Sequence, residues 1–232
     1  MLNPIVITGT NLPDVWFQTL YKIIEVGRDF TIDEGSFKGQ IRKEYDYITI
    51  HAKCPGVGEL LPKLNPALQL DDPVAQNYLD DYLPYLMTGE EAEGEQYTYG
   101  QRIVNDGCNQ MDIVIERYKN QGHRNNQLIM QIGKPTDMLL EDPPCLRHID
   151  TRIQDGKLHF YPYFRSWDLW GGLPANLAAI ELMKQHMAME IGVENGEIVA
   201  CSKGLHLYSY IFEIAELVRG KTSEEFKKEI EL

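Results

Sequence analysis

Residues 163–176 read YFRSWDLWGGLPAN and join two contrasting sequence patterns. Before this stretch, residues 157–165 alternate polar and apolar side chains, as a strand with one buried face does. After it, residues 174–192 predict a helix, because their apolar side chains recur at helical spacing: Leu177, Ile180, Met183, Met187 and Ile191. The stretch therefore predicts a strand that passes through a Gly-Gly turn into a long helix.

The segment before this stretch predicts a β-hairpin. Residues 146–153 and 157–165 both read as strands, and Asp155-Gly156 between them is a strong hairpin signal. The other predicted elements are helices at 13–26, 110–121 and 207–219, strands at 44–52, 127–132 and 197–201, an irregular segment at 54–73 and an acidic loop at 88–95. This mixture predicts one α+β domain over residues 1–232, with a single mixed or antiparallel sheet layer packed against helices.

Composition narrows the functional classes. The chain has 232 residues and a formal net charge of −13, which makes it a poor general binder of nucleic acid. It has no long apolar run that would span a membrane and no signal-peptide pattern at its N-terminus, so we expect a soluble cytoplasmic protein. The four cysteines form neither a CxxC pair nor a Cys/His cluster, so we expect free thiols and no metal.

Two stretches carry candidate chemistry. Arg165 and Ser166 lie near a predicted helix start, where their donors suit an anion, and Asn176 can both donate to and accept from a base edge. Taken singly, Arg165 also fits a surface ion pair and Asn176 a helix cap. Residues 141–148, EDPPCLRH, place Cys145 behind two prolines, which suits either a rigid loop that presents a thiol or an ordinary turn into a strand.

Taken together, these stretches resemble the thymidylate synthase family. The order DPPC, hairpin, RSWDLWGGLPAN, long helix and GLHLY matches its proline-cysteine, RS-x-D-x-x-x-GLP-x-N and H-x-Y elements over residues 142–210. The match is thinner upstream, where GELLPKL (58–64) resembles the family's glutamate-bearing helix and YTYGQRI (97–103) its tyrosine-glycine segment. The short chain and divergent first half look most like the methanogen-type archaeal branch.

The resemblance implies methylation of dUMP at carbon 5. A cysteine thiolate adds to carbon 6, and carbon 5 then attacks a one-carbon unit carried by a reduced pterin. The resemblance implies that Cys145 is the nucleophile, that Glu59 is a general acid/base with Tyr99 near it, and that Arg165 both binds the phosphate and lowers the thiol pKa. It implies further phosphate contacts from Ser166 and from Arg124 of a partner subunit. Asn176 would recognise the base, His206 and Tyr208 would contact the deoxyribose, and Asp168 would contact the pterin. The family also implies a homodimer.

Several positions depart from the family pattern, mostly on the cofactor side. Asp142 replaces an apolar contact, Ala175 stands where an aromatic side chain is usual, and the segment after Glu59 lacks the tryptophans that wall the cofactor pocket. The tail at 224–232 also lacks the usual apolar end. The carrier is therefore left open between methylene-tetrahydrofolate and a tetrahydromethanopterin-type carrier. The early phosphate-binding residue is open among Arg28, Lys38 and Arg42.

Three other functions are compatible with the same residues. A dUMP or dCMP hydroxymethylase on the same fold would let water, rather than hydride, react with the methylene intermediate. Asn176 favours uracil over cytosine, because it can donate to the 4-oxygen. A nucleotide-binding homologue without catalysis would have no need of the Cys145 thiol. A thiol hydrolase would pair Cys145 with His148 or His206, but the spacing resembles no protease signature.

Overall fold

The computed structural model describes residues 1–33, 37–90 and 96–221. The predicted tail at 224–232 and most of the predicted acidic loop at 88–95 lie outside the described residues. The helices found in these ranges are α1 Leu12–Val26, α2 Tyr78–Met87, α3 Tyr99–Val104, α4 Gln110–Gln121, α5 Gly172–Ile191 and α6 Phe212–Arg219. The strands are β1 Pro4–Gly9, β2 Arg28–Thr31, β3 Ile41–Glu44, β4 Tyr47–Ala52, β5 Ile129–Gln131, β6 Leu146–Gln154, β7 Lys157–Phe164, β8 Trp167–Asp168, β9 Glu194–Ser202 and β10 Leu205–Tyr208. The α+β class is confirmed.

The strands form two sheets rather than the single layer that the sequence predicted. The larger has the order β1-β4-β9-β7-β6-β5 and the smaller β2-β3-β10-β8. In the larger sheet β6 and β7 form the predicted antiparallel hairpin, while β1 with β4 and β7 with β9 are parallel pairs. The second sheet arises because the chain turns after β9 at Gly204, whose φ of +68° suits glycine, and β10 then pairs with β3 and β8.

The prediction of a helix over 207–219 is wrong in its first part. Residues 205–208 are strand β10, a 3-10 turn follows at Ser209–Ile211, and the helix begins at Phe212. A short apolar run such as LHLYSYIF fits a buried strand as well as a helix, and here pairing with neighbouring strands decides for the strand. Helix α4 has the predicted bounds, and the hairpin strands, α1 and α5 lie within two residues of theirs.

The large sheet is covered by helices on one face. In β4 the side chains of Ile48, Ile50 and Ala52 are buried in the core, while the alternating Tyr47 and His51 are half-buried on the other face. Helices α1 and α5 contact β1, β4, β7 and β9. A sheet with one face on a core and the other less buried leaves that second face available for another contact. No helix in the described ranges is long and apolar enough to cross a membrane.

Candidate active site

The loop that carries Cys145 is tied to the end of β7 by Arg165. The backbone N–H of Arg165 donates to the Cys145 carbonyl at 2.8 Å. Its Nε donates to the carbonyl oxygens of Pro143 and Pro144, each at 3.2 Å, and its Nη2 donates to Pro143 as well. Proline cannot donate from its backbone, but its carbonyl remains an acceptor. The two prolines thus fix the loop and offer the oxygens by which Arg165 holds it.

A buried ionic cluster of Asp137, Arg102 and Arg147 contacts the same loop. Asp137 is 1% exposed and accepts from Arg102 Nη2 and Arg147 Nη1, each at 3.0 Å. Arg147 Nη1 also donates to the Pro144 carbonyl at 3.3 Å. Because a buried carboxylate with two arginines resists displacement of any member, this cluster restricts the position of the backbone immediately before Cys145.

The pKa of the Cys145 thiol is raised, which corrects the expected lowering. Burial is the main cause, and the positive charges of Arg165 and then Arg147 oppose it, while the Asp142 carboxylate adds to the rise. Arg165 does not outweigh burial, and its Nη2 also pairs with Asp142 Oδ1 at 3.2 Å. In this structure the thiol therefore needs a proton acceptor, or a change in its surroundings, before it becomes a nucleophile.

Five tyrosine rings contact one another in series between α2 and the Cys145 loop, and we call Tyr78, Tyr82, Tyr85, Tyr97 and Tyr99 the tyrosine cluster. Along α2, ring centroids are 5.8 Å apart for Tyr78–Tyr82 and 5.5 Å for Tyr82–Tyr85. Tyr85 meets Tyr99 edge to face at 5.3 Å. Tyr99 Oη accepts from the backbone N–H of Leu146 at 3.3 Å, directly after the thiol. The structure thus brings Tyr99 to Cys145.

The sequence did not reveal this cluster, because α2 was not predicted. Its segment YLDDYLPYLM contains Pro84, which lacks the N–H that a helix interior uses. The spacing of Tyr78, Tyr82 and Tyr85, four and then three residues apart, was the available signal, since such positions lie on one helical face. These aromatic rings lie beside a site where the family resemblance predicts tryptophans, which the segment after Glu59 lacks.

Asn176 lies one turn inside α5 and does not cap it, so the helix-cap interpretation is wrong. Its Oδ1 accepts from the indole Nε1 of Trp167 at 2.8 Å, and its Nδ2 donates to Tyr82 Oη at 2.5 Å. Burial raises the pKa of Tyr82, and the neighbouring Tyr85, Tyr78 and a charge on Cys145 raise it further, while Asn176 opposes them. The structure therefore brings Asn176 to the tyrosine cluster and within electrostatic range of the thiol.

Asp168 caps the start of α5. Its Oδ2 accepts from the backbone N–H groups of Gly171 at 3.0 Å and Gly172 at 2.8 Å, and its Oδ1 accepts from Trp170 at 3.3 Å. A carboxylate at a helix N-terminus is favourable in this position. The group predicted to contact a pterin thus already accepts three backbone hydrogen bonds, and any ligand contact has to share its remaining acceptor capacity.

A cleft of about 280 Å³ opens between α2 and the start of α5. Tyr78 and Tyr82 line one side, and Ala175 and Asn176 line the other. The small Ala175 leaves room beside the aromatic rings, so a flat aromatic or heteroaromatic group could lie there against tyrosine faces. The cleft adjoins the Asn176 amide, which places a planar ligand and the candidate base-reading group next to each other.

His206 presents an unpaired acceptor. Its Nδ1 lies 2.9 Å from the Gly204 carbonyl, which can only accept, so Nδ1 carries the proton. Burial lowers the pKa of His206, which favours the neutral ring. Its Nε2 is buried and has no hydrogen-bond partner among the described residues. A buried acceptor of this kind suits a ligand hydroxyl, and His206 is joined to the Asp168 segment by strand pairing.

Tyr208 follows His206 on β10, and an arginine of the neighbouring strand β3 lies opposite it. Its ring meets His206 edge to face at 4.8 Å, and Arg42 on β3 lies opposite it in the register. Arg42 Nη2 pairs with Glu44 at 2.9 Å. Arg28, in contrast, lies on the far strand β2 and pairs with Asp46 at 2.5 Å. Of the early basic candidates, Arg42 is thus the one that strand pairing places beside the predicted deoxyribose-binding pair.

For two predicted site residues, no contact with this group is described. Glu59 is not on a helix, which corrects that expectation, and its 62% exposed carboxylate pairs with Lys63 at 2.9 Å. Arg124 is exposed and lines a cleft of about 350 Å³ with Arg152 and its neighbours near the far end of β6. Because a strand rises about 3.3 Å per residue, that end lies roughly 20 Å from the Cys145 end of the same strand. Ser166 is half-buried directly after Arg165.

The fold and this grouping define an α+β protein whose candidate site centres on one half-buried cysteine thiol beside an arginine. A family model described as thymidylate synthase matches residues 76–229. The chain belongs to the thymidylate synthase family, as its motifs predicted. Membership of this family implies an enzyme of the methyltransferase class.

The relatives found by sequence comparison agree with this assignment. A Methanosarcina acetivorans protein named "Putative thymidylate synthase" is 29% identical over 93% of this chain and 95% of its own length. A Methanothermobacter thermautotrophicus protein of the same name is 28% identical over 89% of this chain and 95% of its own. A Vesicomyosocius okutanii "Thymidylate synthase" is 28% identical over 56% of this chain and 49% of its own. The predicted likeness to the methanogen branch is confirmed.

Proposed function

We propose that the protein methylates dUMP at carbon 5 to give dTMP, with Cys145 as the nucleophile. The observation that carries the proposal is the convergence of one thiol, one arginine and one oriented amide: Arg165 holds the Cys145 loop, and Asn176 is linked to it through the tyrosine cluster. A binding protein without catalysis would have no use for a thiol in this place. We further propose that residues 1–232 act as one catalytic domain.

The proposed first step forms a bond between the Cys145 sulfur and carbon 6 of the uracil ring. The electron pair of the carbon 5–carbon 6 double bond moves to carbon 5 and the 4-carbonyl, whose oxygen accepts from Asn176. The thiol proton leaves to bulk water, and we propose that Glu59 relays a proton through water to the 4-oxygen, where negative charge develops. That role requires Glu59 to leave its exposed pair with Lys63, which costs little.

The remaining nucleotide contacts follow from the same placement. The free Nε2 of His206 would accept from the deoxyribose hydroxyl, with Tyr208 beside it. Arg165, Ser166 and Arg42 would bind the phosphate, because guanidinium and hydroxyl donors suit its oxygens. For Arg42 this requires that the guanidinium be shared between Glu44 and the phosphate.

We assign the pterin to the cleft between α2 and α5. When bound, a reduced pterin, either tetrahydrofolate or a tetrahydromethanopterin-type carrier, would supply the one-carbon unit. Tyr78 and Tyr82 offer ring faces to it, and Ala175 leaves space. Asp168 can contribute only the acceptor capacity that its three backbone hydrogen bonds leave free.

We also propose a homodimer that completes the phosphate site. Arg124 lines a cleft at the far end of β6, roughly 20 Å from the Cys145 end of that strand, and so does not reach the nucleotide of its own chain. The half-buried face of the large sheet could bring it to the site of a second copy. The half-buried Tyr47, His51 and Tyr161 on that face suit a subunit contact, because aromatic side chains are enriched at interfaces.

The direct test is the mass of the product formed from dUMP, and separately from dCMP, with methylene-tetrahydrofolate or methylene-tetrahydromethanopterin. We expect a methylated product from dUMP, and the carrier that supports turnover identifies the cofactor. Cys145→Ser should abolish turnover, whereas Cys108→Ser, at an exposed cysteine outside the site, should leave it unchanged. A hydroxymethylated product would favour the hydroxymethylase, and turnover by Cys145→Ser would refute the nucleophile.

A further inference from the structure

We propose that Trp167 and Tyr82 fix the orientation of the Asn176 amide, so that the site accepts a 4-oxo pyrimidine and rejects a 4-amino pyrimidine. Neither residue belonged to the predicted site. The inference rests on the proposed function, because it assigns the base-reading role to Asn176. It concerns how the amide is held rather than whether the amide takes part.

The indole of Trp167 determines which end of the amide faces it. An indole Nε1–H can donate but cannot accept. The atom of Asn176 that lies 2.8 Å from it must therefore be the carbonyl oxygen. The donor-only partner therefore fixes which end of the amide faces the indole.

The fixed oxygen leaves the amide nitrogen to face the other side. Nδ2 has two hydrogens, and one of them is donated to Tyr82 Oη at 2.5 Å. The second hydrogen is available to a ligand. Uracil has an acceptor oxygen at position 4, whereas cytosine has an amino donor there, so a fixed N–H attracts the first and opposes the second. An amide free to rotate would present its oxygen to cytosine and discriminate less.

Both holding residues are themselves restrained. Trp167 is 2% exposed, and its ring stacks on Phe164 with centroids 3.9 Å apart and planes 6° from parallel. Its backbone also pairs with Leu205 of β10. Tyr82 stacks between Tyr78 and Tyr85. Rotating the amide would set its NH2 against the indole N–H of the buried Trp167, and two donors cannot form a hydrogen bond with each other.

The test compares the dissociation constants of dUMP and dCMP, measured by calorimetry on the full chain. Trp167→Phe keeps an aromatic ring against Phe164 but removes the indole donor. We expect the preference of the wild-type protein for dUMP to fall by about tenfold in this variant, the effect of one buried hydrogen bond. Trp16→Phe is the matched control, because Trp16 is equally buried and donates its indole N–H to Leu169 at 2.9 Å, away from Asn176.

The outcomes separate the inference from the function on which it rests. If Trp167→Phe weakens both nucleotides equally and keeps their ratio, Trp167 only supports packing and the inference is wrong, while the proposed function stands. If the wild-type protein binds neither nucleotide, both fail. Trp16→Phe should keep the wild-type ratio, and an equal loss of preference there would also refute a specific role for Trp167.

A second measurement tests the inference even if Trp167→Phe does not fold. The chain has three tryptophans, so its spectrum of ¹⁵N-labelled indoles contains three N–H signals that single Trp→Phe variants assign. Asn176→Ala should shift the Trp167 signal and increase its exchange with solvent, and leave the Trp16 signal in place. An unchanged Trp167 signal would show that its indole does not hold the amide.

Discussion

At the scale of single residues, Asp142 affects the Cys145 thiol in two ways that act in the same direction. Its carboxylate contributes to the raised pKa of the thiol, after burial and against Arg165. It also pairs with Arg165 at 3.2 Å and so draws positive charge away from the sulfur. The family resemblance predicts an apolar side chain here, so Asp142 departs from that expectation with a group that affects how readily the thiol ionises.

Asp142→Asn should therefore make Cys145 more reactive at neutral pH. Loss of the negative charge lowers the pKa of the thiol, so the alkylation profile moves to lower pH. We expect a roughly two- to fivefold faster reaction with iodoacetamide, the effect of one solvent-exposed charge nearby. The rate is read for Cys145 alone by peptide mass spectrometry, since the exposed Cys54 and Cys108 react as well.

Glu141→Gln provides the control for this comparison. Glu141 is an exposed neighbour with the same charge, and no contact with Arg165 is described for it. The same acceleration in Glu141→Gln would show that only the overall charge of the loop matters. A slower reaction in Asp142→Asn would mean that its pair with Arg165 promotes ionisation, contrary to our explanation.

At the scale of elements, the buried cluster under the Cys145 loop is expected to dominate local stability. Asp137→Asn leaves Arg102 and Arg147 without their shared carboxylate, so we expect a loss of about 3 kcal/mol in the free energy of unfolding. Asp106→Asn is the control, because Asp106 pairs with Lys134 at 2.7 Å where both are partly exposed. Its loss should stay below about 1 kcal/mol. Denaturant titration measures both.

The pH dependence of stability gives a second readout of the same carboxylate. The pKa of Asp137 is lowered overall: burial raises it, but hydrogen bonds from Lys134 and Arg102 outweigh that effect. The charged carboxylate therefore stabilises the fold above its unfolded pKa of about 3.9, and this contribution disappears as the pH falls through the folded pKa. Asp137→Asn should flatten the acid side of the stability curve. An equally steep curve would contradict the assignment.

Some helices and strands could be predicted from the sequence and others could not. The β6–β7 hairpin and α5 rest on local signals, Asp155-Gly156 and an apolar stripe, and the structure has them near the predicted bounds. Helix α2 contains Pro84, and β10 reads equally well as helix, so tertiary pairing decides both. The link from Asn176 to Tyr82 joins residues that are 94 positions apart. No spacing rule predicts such a contact, which is why the order of motifs pointed to Asn176 but not to the residues that hold it.

At the scale of the whole molecule, the proposed homodimer can be tested through Arg124. Arg124 lies with Arg152 at one end of β6 and Cys145 lies at the other. If each subunit lends Arg124 to its partner, a chain without Cys145 and a chain without Arg124 have complementary defects. Arg124→Ala and Cys145→Ser are each expected to have little activity when alone.

Mixing these two variants after reversible dissociation should restore activity. A mixed dimer has one site that combines the Cys145 of one chain with the Arg124 of the other, and random pairing makes half of the dimers mixed. The expected recovery is about a quarter of the wild-type rate, because each mixed dimer carries one working site of two. A pair of Arg165→Ala and Cys145→Ser is the control, since the structure places both residues in the same site of one chain. That pair should recover nothing. If the Arg124 pair also recovers nothing while the mixed dimers form, Arg124 does not serve a partner's site, and the phosphate is held by residues of a single chain.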